Sequence, residues 1–151
     1  MRRTFLLVAV VLVLTSQVGT WWLARDQLAP AALYSLLSSH LSAVDPVTIS
    51  PDGPHCVVAG DGLLSGLSSS RRAELSGQAT RLGIELYERN RLPVTLTPRD
   101  CVGYLATSEI NFPVIGRVEV YVYSDQTGGF DVWLFPLFGH WLTLWQSQTR
   151  F

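Results

Sequence analysis

The chain has 151 residues, 48% of them hydrophobic and only 15% charged, with a formal net charge of −1. From residue 27 onward eight arginines face eleven acids, a formal −3, and this mildly acidic balance excludes general nucleic-acid binding, which needs a basic face. Every fixed positive side chain is arginine, so chemistry that depends on a phosphate-loop lysine or a Schiff-base lysine is excluded too.

Arg2 and Arg3 precede an uncharged stretch over residues 4–24, continuously apolar over residues 5–14. About 20 helical residues cross a hydrocarbon layer, so residues 1–25 are expected to form a membrane anchor. The two arginines favour a cytoplasmic N-terminus, and Trp21 and Trp22 would sit at the far interface, where aromatic rings settle. A cleavable signal peptide is the alternative: the small residues Ser16, Gly19 and Thr20 follow the apolar core, but no A-x-A cleavage pattern accompanies them. The domain that follows is expected outside the cytoplasm, on the periplasmic or cell-surface side of a single-pass span.

Residues 26–45 read as an amphipathic helix. Leu33, Leu36, Leu37, His40, Leu41 and Val44 recur at helical spacing, serines occupy the other face and Pro30 suits the first turn. Such a helix packs on the domain or lies on the bilayer surface. Residues 46–151 are expected to form one α+β domain. Strands are predicted over 47–50 and 55–59, paired as a hairpin across a turn at 51–54. A glycine-rich loop over 60–66 leads to N-cap serines at 68–70 and a helix reaching about Arg91. Leu75, Ala79, Leu82 and Leu86 would form its apolar face, a Glu85–Arg89 pair its exposed one, and Pro93 its stop. Further strands are predicted over 94–97, 102–108, 117–123, 130–135 and 140–146, with a turn at 127–129. Val118, Val120 and Val122 should face inward, and Glu119, Tyr121 and Tyr123 outward. The fold class is therefore α+β: an N-terminal transmembrane helix, then a small domain with an antiparallel sheet and two helices. The order of elements is similar to that of small sensor and adaptor folds (PAS-, Cache- or roadblock-like), a likeness of topology with no motif behind it.

Few residues point to chemistry. Cys56 and Cys101, in an extracytoplasmic domain, are expected to form a disulfide; His55 beside Cys56 would point to the opposite strand face and is poorly placed to activate it. His40, His55, His140 and the cysteines show no paired metal-ligand spacing, so neither a metal nor a cofactor is expected. Gly60, Gly62 and Gly66 sit between a strand and a helix, as in a phosphate-binding loop, but at a spacing that departs from the dinucleotide fingerprint. Ser65 lies in G-x-x-S-G, which is not a nucleophile elbow. Six arginines between residues 71 and 99 read as a solvated face, with contact to anionic headgroups as the sharper alternative.

Residues 130–145 are the most unusual stretch. They contain Phe130, Trp133, Phe135, Phe138, Trp141 and Trp145, and no fixed charge occurs over residues 132–149. One reading is a central strand pair covered by a helix on each side; the other is a surface given to a partner, a lipid or an apolar ligand. The expected function is that of a membrane-anchored, non-enzymatic domain that binds a membrane-protein partner, through Tyr121, Tyr123, Trp133, Phe135, Phe138, Trp141 and Trp145. The alternative is a ligand- or lipid-binding module with Tyr121, Tyr123 and Trp133 lining its pocket. An enzyme would need its histidines and acids to converge in space.

Overall fold

The computed structural model describes residues 2–43, 55–97, 101–123 and 128–149. The expected strand 47–50, the turn 51–54 and Val44 lie outside the described residues. Helix α1 spans Arg2–Leu23 and is long and apolar enough to cross a membrane. A single 3-10 turn, Arg25–Gln27, separates it from helix α2, Leu28–Ala43. Strand β1 (Cys56–Ala59), helix α3 (Ser69–Arg81) and strand β2 (Glu85–Glu88) follow. Strands β3 (Val102–Asn111), β4 (Gly116–Tyr123), β5 (Gly128–Leu137) and β6 (His140–Thr149) complete the chain.

The fold is α+β, but its six-stranded sheet, in the order β2-β1-β3-β4-β5-β6, is mixed rather than antiparallel. β1 runs parallel to both β2 and β3, and β3 to β6 form an antiparallel meander. The difference has a local cause. The helix expected to reach Arg91 stops at Arg81, well before Pro93. Gly83 takes a left-handed φ of 69°, the Ile84 amide bonds back to the Ala79 carbonyl at 2.9 Å and the Gly83 amide to the Thr80 carbonyl at 3.1 Å. This is a Schellman close, and glycine supplies its left-handed residue without steric cost. Leu86 is thereby released into β2, and α3 becomes the crossover that a parallel pair requires. At the other end of α3, the Ser68 hydroxyl accepts from the Arg71 amide, as an N-cap should. The strand expected over 94–97 is instead a turn and irregular chain.

One main core lies between the sheet and the two packed helices, both on the same face. Leu33, Leu36 and Leu37 of α2 and Leu75 and Ala79 of α3 meet Val57 and Ala59 of β1, Val118, Val120 and Val122 of β4, and Val132 and Leu134 of β5. The strict alternation of β4, buried at every second residue, follows the sequence pattern. All four β1 residues are buried, as expected for a strand between two parallel neighbours. Its second face packs Cys56 and Val58 with Cys101, Tyr87, Leu92 and Leu96. The Cys56 and Cys101 sulfurs are at bonding distance, with Cα atoms 4.7 Å apart across 45 residues of chain. A disulfide at this position fits an oxidising compartment and closes the crossover unit onto the start of β3.

Candidate functional site

α1 is joined to the domain through its last two turns. Residues 2–15 are exposed, whereas Gln17 and Thr20 are buried. The Ser16 hydroxyl accepts from the Phe138 amide and the Thr20 hydroxyl from the Gly139 amide, each at 2.7 Å. Phe138 and Gly139 form the two-residue turn between β5 and β6, with positive φ values of 47° and 79°, the backbone of a tight hairpin whose twist suits its strands. The indole of Trp141 donates to the Ala24 carbonyl at 2.7 Å, and that of Trp21 to the Asn111 carbonyl, at the end of β3, at 3.2 Å. The signal was present in the sequence: Ser16, Gln17 and Thr20 form a polar stripe one helical turn long in an otherwise apolar segment. Ser16 and Thr20, which with Gly19 also suit a cleavage region, serve here as a docking stripe.

The sheet's two faces differ beyond β3. Helix α2 covers one, while the other carries Arg117, Glu119, Tyr121 and Tyr123 of β4, Asp131, Trp133, Phe135 and Leu137 of β5, and Leu142 and Trp145 of β6. Here the Arg117 guanidinium holds Asp131 at 2.6 Å and lies 5.5 Å from the centre of the Trp133 ring. Trp133 pairs across the strands with Trp145, and Tyr123 lies flat against Gly103, where any Cβ would collide with its ring. Pairing steps from Trp133–Trp145 to Leu134–Thr143, which leaves Leu144 as a bulged extra residue. The expected aromatic set is therefore divided. Trp141 turns inward and is 3% exposed; Trp133, Phe135, Tyr121 and Tyr123 are half-buried; Phe138 and Trp145 stand out at 69% and 65%. Trp141 belongs to the core, and the reading of β5 and β6 as a central pair covered by a helix on each side is corrected: β6 is an edge strand, and α2 and α3 share one face.

A shallow groove of about 380 Å³ runs between α2 and β6, lined by Tyr34, Ser35, Ser38, Ser39, Thr143 and Gln146 among others. The Gln146 amide donates to the Ser35 hydroxyl, and the Tyr34 hydroxyl donates to Glu74 at 2.6 Å, with Arg71 over the Tyr34 ring at 4.9 Å. The bond to Glu74, before any other influence, raises the Tyr34 hydroxyl above its ordinary value. Deeper in the fold, His40 Nδ1 lies 3.2 Å from the Tyr104 hydroxyl and its ring meets Phe130 edge-on at 5.1 Å. Burial pushes Tyr104 up to about 12 and lowers His40.

The glycine-rich loop does not offer its amides to a ligand. The buried Glu88 carboxylate from β2 accepts from the Ser65 amide at 2.7 Å, and the Asp61 carboxylate accepts from the Asn90 amide at 2.9 Å. Burial alone would raise Glu88, but the Ser65 and Leu64 hydrogen bonds and Arg91 outweigh it and hold the carboxyl below its ordinary value. A protein carboxylate thus fills the place a phosphate would need. His140, at the β5–β6 turn, is at the opposite end of the meander from the His40–Phe130 contact. Among the described residues no group of three or more His, Cys, Asp or Glu side chains could hold a metal ion. No protein-family model matches the chain, and no curated protein or solved structure does so either.

Proposed function

We propose that the chain is a single-pass membrane protein, N-terminus in the cytoplasm, whose extracytoplasmic domain is a non-enzymatic module that binds a partner protein at the membrane. The observation that carries this reading is β6. It is a ten-residue edge strand without fixed charge or proline, and it displays Leu142, Leu144 and Trp145 at 45%, 59% and 65% exposure. Sheet edges are normally blunted by lysine, proline or short length, because their unpaired amides and carbonyls invite another strand. An edge left apolar is suited to strand addition, with main-chain bonds giving affinity and the Trp133–Trp145 pair giving side-chain specificity. The contacts of Ser16 and Thr20 with the hairpin support retention of α1 as an anchor, since cleavage would strip the turn of both acceptors. Anchor and edge lie on neighbouring elements, which favours a partner that is itself in or at the bilayer.

The test is purification of the tagged full-length protein in mild detergent from its own membranes, beside the Leu144→Glu and Trp145→Glu double variant. A stoichiometric membrane protein that accompanies the parent and is lost from an equally stable variant supports the reading. A variant that keeps the partner sinks it. A second copy of this chain, seen as a dimer by light scattering, would make the edge a self-association surface. The α2–β6 groove favours a second reading, a small-ligand module. Its serine and glutamine lining suits a polar ligand, which would raise the melting temperature of the isolated, partner-free protein.

A further inference from the structure

The anchor and the domain do not fit on either side of a membrane boundary drawn at the end of α1. Only residues 2–15 of that helix are exposed along their length, and at roughly 1.5 Å per residue they account for about 21 Å. A hydrocarbon core is about 30 Å thick. The remaining ~9 Å has to come from the next turns of the helix, and these are the turns that hold the β5–β6 hairpin through Ser16 and Thr20. The tip of that hairpin must therefore share the depth of the outer part of the span.

The residues at that level suit it. In an antiparallel meander the β3–β4 and β5–β6 connections lie at the same end of the sheet, and Trp21 ties the first of them to α1 through Asn111. The two tips present Phe112, Val114 and Phe138 at 58%, 59% and 69% exposure, beside exposed Val18, Trp22 and Leu23 of α1. No fixed charge occurs over residues 110–116 or 132–149; the nearest ones, Glu109, Arg117, Arg25 and Asp26, stand above the tips. Phe138 is also held at a left-handed φ of 47°, where asparagine or glycine is the ordinary choice. A bulky apolar residue at that position is explained if its ring has an apolar medium to enter.

We infer that the β3–β4 and β5–β6 hairpin tips insert into the outer leaflet alongside α1, so that the domain stands on the bilayer on three points and β6 rises from the lipid surface. This rests on the anchor in the proposed function. It identifies the lipid as a direct ligand of Phe112, Val114 and Phe138, and it fixes the face and edge of β6 upright beside any neighbouring span.

The experiment uses the full-length, oxidised protein in phosphatidylcholine–phosphatidylglycerol vesicles. A polarity-sensitive fluorophore is attached to one introduced cysteine at a time: Phe138→Cys, Val114→Cys, Leu7→Cys in the exposed stretch of α1, and Ser70→Cys on α3. Quenching by a nitroxide carried near the lipid headgroup is compared with quenching by iodide in the water. Labels at 138 and 114 should be quenched by the lipid nitroxide and be about tenfold less accessible to iodide than the label at 70, as burial 5–10 Å into the boundary implies. If 138 and 114 match position 70 while position 7 is in lipid, the tips are aqueous and the inference falls with the anchor intact. If position 7 is aqueous as well, the anchor itself is wrong. Phe138→Asn, which suits the backbone of the turn, supplies a variant that keeps the fold: at unchanged melting temperature it should raise iodide access at position 114, and no change there would overturn the role given to Phe138.

Discussion

The two faces of the meander are built from the same four strands and have opposite fates. One is pressed against α2 and carries the buried aliphatic side chains of β4 and β5 together with Tyr104 and Trp141; the other carries a buried carboxylate, an arginine and half-exposed tryptophans. What separates them is the helix, not the strands. β5 and β6 are apolar on both faces, so their composition alone does not say which face is core. Among the described residues no helix packs on the second face; the covered face should carry stability, and the uncovered face should carry recognition.

The sharpest way to break that comparison is to truncate one residue on each face. Leu36 of α2 and Leu134 of β5 are fully buried, and Leu36→Ala or Leu134→Ala should cost about 2–5 kcal/mol through lost contacts and the cavity left behind. Trp145→Ala should change stability by no more than roughly 0.5 kcal/mol, as surface substitutions usually do. Denaturant unfolding of the detergent-solubilised protein measures both. A cost at Trp145 comparable to that at Leu36 would move it into the core and remove the basis of the binding reading.

Arg117 tests a smaller difference, within the uncovered face itself. Its guanidinium satisfies Asp131, whose side chain is 12% exposed, and covers the Trp133 ring. Removing it in Arg117→Ala leaves a largely buried carboxylate without its partner, which should cost about 1–3 kcal/mol. The double variant with Asp131→Asn should recover part of that, because the stranded charge goes with it. If Arg117→Ala is neutral, the face is softer and wetter than its geometry implies, and Trp133 is free to reorient toward a partner.

Legibility in the sequence followed the range of the interactions. The apolar run of α1, the leucine spacing of α2, the alternation of β4 and the serine cap of α3 are local, and each was read from a few neighbouring residues. The parallel half was missed because its decision rests on a single backbone dihedral at Gly83. Leu82 and Leu86 continue a helical spacing from Leu75 and Ala79, so periodicity ran on past the point where the chain turned. Pro93 offered a stop ten residues beyond Gly83. The candidate face was half legible. Its aromatic richness was evident, but Trp141 and Trp145, four residues apart on one strand, should by simple alternation share a face. The bulge at Leu144 puts them on opposite ones, Trp141 under the helix and Trp145 outside. A one-residue slip of that kind leaves no composition signal. The role of Ser16 and Thr20 was hidden for a different reason: their partners, the backbone amides of residues 138 and 139, are distant in sequence and have no side-chain signature.

The last difference between the faces is one of protonation. His40 lies on the covered side, against the Tyr104 hydroxyl and the Phe130 ring, and burial lowers its pKa below the ordinary 6.5. The unfolded chain therefore binds a proton at this site more readily than the folded one, and stability rises with pH wherever the unfolded state holds more protons. The contribution is fully present above the ordinary value and is lost as the pH falls through it toward the folded value. Lowering the pH from 7.5 to 5.5 in buffer steps of about one unit should lower the melting temperature, and His40→Leu should flatten that slope while leaving the neutral-pH fold intact. Glu109, on β3 near Asp26, works in the opposite sense: desolvation, and then the Asp26 carboxylate, raise it, so its effect lies nearer the carboxylate range. A His40→Leu variant that keeps the full acid sensitivity would mean that the proton is taken up elsewhere and that burial of His40 does not set the slope.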